Sequence, residues 1–147
     1  MGNLSKNFSS SELGLDKIPA DQPREQIRNN YQDFVTAVLQ PIREQLGKPL
    51  KISSGYRSPA NNRKAKGKTN SKHLGLTGAA ADIYSPGMDS LDLYNFIRTT
   101  SVPFDTMIWY KPGEPGYKFG GVHLSYVRGS SRRLLYFSQD GIIKPLI

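Results

Sequence analysis

The sequence contains no cysteine and only two histidines, His73 and His123, in 147 residues. Without cysteine there is no disulfide framework and no thiolate metal site, so any transition metal must be held by His, Asp or Glu. No apolar run approaches the roughly 18 residues that a membrane-spanning helix needs. The start, Met1-Gly2-Asn3-Leu4-Ser5-Lys6-Asn7-Phe8, lacks the apolar segment of a signal peptide. The expectation is therefore a chain made in the cytoplasm. No internal repeat or low-complexity stretch interrupts it. At 37% hydrophobic and 22% charged residues it reads as one soluble globular domain over residues 1–147, able to bury a core without staples.

Acidic residues are also in short supply. Twelve Asp and Glu face twenty Lys and Arg, for a net charge of +8. Such a surface favours polyanions. The cations gather at Arg63, Lys64, Lys66, Lys68 and Lys72, and again at Arg128, Arg132 and Arg133. No nucleic-acid motif accompanies them. Tyr56, Tyr110, Tyr117 and Tyr126 lie in or beside strand-like runs, where core packing explains aromatics as well as base stacking does. Nucleic acid is not the expected partner.

Residues 1–20 are polar with scattered apolar anchors (Leu4, Phe8, Leu13, Leu15 and Ile18), which predicts an arm laid over the domain. A helix is expected from near Asp21, with Pro23 in its first turn. Ile27, Tyr31, Phe34, Val35, Val38, Leu39, Ile42 and Leu46 recur at three- and four-residue spacing and form one apolar stripe. Pro41 should kink this helix, and Gly47 and Pro49 should end it. Residues 50–54 read as a short strand and 59–72 as a basic, polar loop containing one helical turn. Residues 79–84 read as a buried strand, and 89–100 as a second helix. Strands follow near 104–110, 121–127, 134–137 and 142, with a Pro- and Gly-rich loop over 111–116. This order predicts an α+β fold: an antiparallel sheet with a long N-terminal core helix.

Both histidines have company that suits a metal. His73 lies in Ser71-Lys72-His73, nine residues before Asp82 in Ala80-Ala81-Asp82-Ile83, and His123 lies in the strand-like run Val122-His123-Leu124-Ser125-Tyr126. A carboxylate among alanines and isoleucine needs a partner, and a cation is the strongest available. Each residue alone has an ordinary structural explanation. Together, two imidazoles and one carboxylate leave zinc a fourth position for water, the pattern of catalytic rather than structural sites. Arg57 stands in the tight turn Ser54-Gly55-Tyr56-Arg57-Ser58-Pro59, where its planar fork suits a carboxylate or a developing oxyanion. Ser71 is placed to orient the His73 imidazole or to bond a substrate.

These segments, with Leu4-Ser5-Lys6-Asn7-Phe8-Ser9, Gln40-Pro41-Ile42-Arg43-Glu44-Gln45-Leu46-Gly47 and Pro103-Phe104-Asp105, resemble the zinc D-Ala-D-Ala carboxypeptidase family, which includes phage-borne peptidoglycan peptidases. The resemblance runs in order along nearly the whole chain. It implies the fold shared with the hedgehog signalling domain, with Zn2+ held by His73, Asp82 and His123. Tyr56, Arg57 and Ser71 would lie in the substrate pocket, with Arg57 stabilising charge during the reaction. It also implies peptidoglycan stem peptides as substrate, an anionic cell wall as surroundings, an endolysin-like monomer, and action after release or as part of a virion.

Two departures stand out. The step from the first histidine to the aspartate is two residues longer than the family's usual seven. The acid that many members carry three residues before the last histidine is Gly120 here, and the Glu of closer relatives is Tyr110. For the general base, Asp105 is the first candidate because it starts the strand expected beside that of His123, and Glu114 in the loop is the reserve. The missing acids also leave open a non-catalytic wall-binding or structural module on the same fold.

Overall fold

The computed structural model describes residues 2–146. A helical rod comes first: α1 (Arg24–Phe34), a π-helical turn (Val35–Leu39) and α2 (Gln40–Leu46). Every residue of the predicted stripe from Ile27 to Ile42 is fully buried. The disturbance expected at Pro41 takes the form of the π-helical turn just before it. Proline removes one N–H and crowds the carbonyl four residues back, and a widened turn relieves both. Gly47 ends the rod in the left-handed region (φ 68°), its N–H donating to the Arg43 carbonyl.

Six strands among the described residues make one sheet in the order β1-β2-β4-β3-β5-β6: β1 (Lys51–Ser54), β2 (Ala79–Tyr84), β3 (Thr106–Tyr110), β4 (Gly121–Tyr126), β5 (Leu134–Gln139) and β6 (Ile142–Pro145). The expectation of an antiparallel sheet needs one correction, because β3 and β5 pair in parallel. One edge of β4 is taken by β2 and the other by β3. The chain leaving β4 therefore reaches the far edge of β3, and both β3 and β5 run opposite to β4. Helix α3 (Pro59–Lys64) exceeds the single turn expected in the basic loop. Ser58 caps it by accepting from the Asn61 N–H, with Pro59 in the first turn. Helix α4 (Ser90–Thr99) lies against β3 and β4.

Strand alternation separates two faces. Ala79, Ala81 and Ile83 of β2 and Val122, Leu124 and Tyr126 of β4 join the core with α1, α2 and α4. Their alternate neighbours point the other way, into a cleft of about 1510 Å³. The N-terminal arm closes the core, burying Phe8, Leu13, Leu15 and Ile18. It also pins the turn before Arg57. The Tyr56 N–H donates to the Leu13 carbonyl at 2.8 Å, and a Cβ on Gly55 would come within 2.6 Å of that same oxygen. No helix among the described residues is long and apolar enough to cross a membrane.

Candidate metal centre

Asp82 on β2 and His123 on β4 are direct cross-strand partners, and both point into the cleft. His123 Nδ1 lies 2.9 Å from Asp82 Oδ1. His73 arrives from a 3-10 turn (Lys72–Leu74) capped by Ser71, whose hydroxyl accepts from the His73 N–H. Its Nε2 lies 3.7 Å from the same Asp82 oxygen. The other ring nitrogen, Nδ1, sits 2.7 Å from the Gly55 carbonyl, so it carries the proton and Nε2 presents its lone pair to the cleft. The backbone repeats this tie, with the Arg57 N–H donating to the His73 carbonyl at 2.9 Å.

The donor atoms of His73, Asp82 and His123 all lie within 4.8 Å of one another, a group able to hold a metal ion. Tetrahedral zinc with bonds of about 2.0–2.2 Å separates neighbouring ligand atoms by about 3.3–3.6 Å. The observed 2.9 and 3.7 Å bracket that range closely. Burial lowers the His73 pKa and keeps the ring neutral, as a ligand must be. Burial pushes the Asp82 carboxyl up, but the hydrogen bond to His123 and the neighbouring histidine rings outweigh it and hold the group well below the usual carboxylate range. The donor set fits zinc in charge, and both imidazoles lie at spacings from Asp82 close to those zinc needs.

The two extra residues between His73 and Asp82 do not disturb this arrangement. The connection turns at Gly75 (φ 73°), where Asn30 and Gln26 of α1 donate to the Gly75 and Leu76 carbonyls at 2.7 and 2.6 Å. Behind it, the Tyr31 hydroxyl reaches the carbonyls of His73 and Ala80 at 3.1 and 2.9 Å, joining the two ligand-bearing segments. In the sequence Tyr31 is one more member of an apolar stripe. Only its polar tip among aliphatic neighbours signals another task.

Arg57 and Ser71 line the cleft. The Arg57 guanidinium donates to Ser54 Oγ at 3.1 Å and to Asp82 Oδ2 at 3.4 Å. Tyr56 does not join them. It is buried with its ring edge-on to Tyr31 (centroids 6.4 Å apart), so it belongs to the core rather than to a substrate pocket.

The general-base candidates also need correcting. Asp105 is 1% exposed and does not line the cleft. Arg132 grips both its oxygens at 2.7 and 3.0 Å, and Lys72 stands 3.7 Å away. The strand expected to start at Asp105 starts at Thr106, and the neighbour of His123 on it is Ile108. Glu114 is likewise occupied, accepting from Ser138 Oγ and, at 3.1 and 2.9 Å, from the backbone N–H groups of Asp140 and Gly141. It anchors the 111–120 loop to the β5–β6 turn. Among the described residues lining the cleft, Asp82 is the sole acid, while Arg57, Lys66, Lys68, Lys72 and Lys118 supply positive charge.

Residues 4–110 match the Peptidase M15 family, a stretch that holds Arg57, Ser71, His73 and Asp82. The chain belongs to this family. Peptidase M15 is the zinc D-Ala-D-Ala carboxypeptidase family, so the chain is of metallopeptidase type, and the His73-Asp82-His123 group could hold the metal. The match ends before His123, which the sheet register brings to Asp82. No curated protein matches the chain.

Proposed function

We propose that the chain is a single-domain zinc peptidase of hedgehog/DD-peptidase type that hydrolyses peptide bonds in peptidoglycan stem peptides, in the manner of a carboxypeptidase or endolysin-like endopeptidase. The observation that carries this reading is the cross-strand pair Asp82–His123 completed by His73 on the cleft wall. Zinc held there supplies a Lewis acid and a bound water whose pKa falls toward ~7.

The chain's own residues supply binding and orientation. Asp82 and the two imidazoles would hold the ion on the cleft wall. Arg57, on the same wall, offers a planar fork to a substrate carboxylate or to the tetrahedral oxyanion. Ser71 holds the turn that presents His73. The lysines around the cleft draw in anionic stem peptides and an anionic wall. Action as a monomer on the wall, after release from the cell or from a virion, fits that charge.

A second reading is favoured by one specific observation: Asp82 is the only carboxylate among the described residues of the cleft. A module that binds wall peptides through zinc and the basic rim without cutting them needs no proton acceptor. Incubating zinc-loaded protein with defined muropeptides and following the products by mass spectrometry separates the two. Loss of a terminal D-Ala or scission within the stem, abolished by chelation and restored by zinc, establishes the peptidase. Zinc-dependent binding with intact peptides establishes the module.

A further inference from the structure

We infer that Tyr117 is a positioning residue for the metal centre, holding the outer oxygen of Asp82 so that a single oxygen faces the histidines. The Tyr117 hydroxyl donates to Asp82 Oδ2 at 3.0 Å, while both histidines approach Oδ1. Arg57 supports the same outer oxygen more distantly, at 3.4 Å. The two carboxylate oxygens are thus divided between two tasks. With Oδ2 engaged by a donor, the carboxylate resists swinging both oxygens toward a cation.

Tyr117 is held in place from two sides. Its ring lies flat on that of Tyr110, with centroids 3.7 Å apart and planes 9° off parallel. Glu114, three residues earlier in the same loop, ties that loop to the β5–β6 turn. Partners of metal-bound carboxylates commonly govern metal affinity by 10–100-fold.

The inference rests on the metal reading of the site, and its test needs no turnover. Tyr117→Phe keeps the stack and removes only the donor. Competition with a chromophoric chelator should show zinc bound about 10–100-fold more weakly than by wild type. Thermal unfolding of the metal-free variant should match that of metal-free wild type. The cobalt-substituted variant should show a weaker visible spectrum than cobalt wild type, because a carboxylate free to bind through both oxygens raises the coordination number. Unchanged affinity and an unchanged cobalt spectrum would overturn the role of Tyr117 alone. Failure of wild type to bind zinc at all would overturn the metal reading and this inference with it. If Tyr117→Phe does not fold, Glu114→Gln, which loosens the loop from outside the cleft, decides: weaker zinc supports the inference and wild-type affinity overturns it.

Discussion

Asp82 and His123 face each other directly across two antiparallel strands, with 2.9 Å between Oδ1 and Nδ1. Their spacing is therefore set by sheet register, although the two lie 41 positions apart in the sequence. A one-residue slip of either strand would turn its ligand to the core face. Gly78, just before β2, guards that register: a Cβ there would meet the Tyr126 carbonyl at 2.3 Å.

His73 depends on Tyr31 rather than on register. Tyr31→Phe removes the hydroxyl that reaches both the His73 and Ala80 carbonyls in a fully buried setting. The expected cost is about 1 kcal/mol, that of one buried hydroxyl hydrogen bond, since the His73 carbonyl keeps the Arg57 N–H. Urea unfolding of metal-free protein checks it, and a midpoint equal to wild type would show that the hydroxyl contributes nothing.

Asp105 now carries a stability prediction in place of a catalytic one. The Arg132 hydrogen bonds, against the opposing push of burial and with help from the Arg132 and Lys72 charges, hold its carboxyl below the ordinary range. A depressed carboxyl stabilises the fold above the unfolded value near ~3.9, and that contribution disappears as pH falls through the lower folded value. Asp105→Asn should therefore cost about 1.5–3 kcal/mol at neutral pH, the range for hydrogen bonds to charged groups. The gap should narrow steadily in unfolding curves taken below about pH 4. A gap independent of pH would contradict this account of the cluster.

Arg57→Lys keeps a positive charge near Asp82 Oδ2 but loses the fork that also reaches Ser54. Zinc content should be unchanged, while hydrolysis of stem peptides should fall on the order of 100-fold, the usual loss for one charge-stabilising donor. Unaltered kinetics would confine Arg57 to bracing Asp82.

The helical rod, the strands and the three candidate ligands were legible in the sequence because each leaves a local trace. Ile27 to Ile42 repeat with helical period, and Ala79 to Ile83 form a short apolar run around one costly carboxylate. What depends on pairing was not legible. The parallel β3–β5 contact follows from which strand edges remain free. Asp105 lies just before β3 and Ile108 within it, and only register decides which residue meets His123. Tyr56 beside Arg57 gave no sign that its ring turns inward to Tyr31. Tyr117, in a Pro- and Gly-rich loop, reaches Asp82 only because Tyr110 offers it a flat surface.

Metal content tests the central claim most directly. Purified wild type, exhaustively dialysed after zinc loading, should retain one zinc per chain, and His73→Ala and His123→Ala should each lose it, since two remaining ligands hold zinc far more weakly. Stoichiometric zinc kept by the double variant lacking both histidines would contradict the account, because no other histidine and no cysteine exists in the chain to replace them.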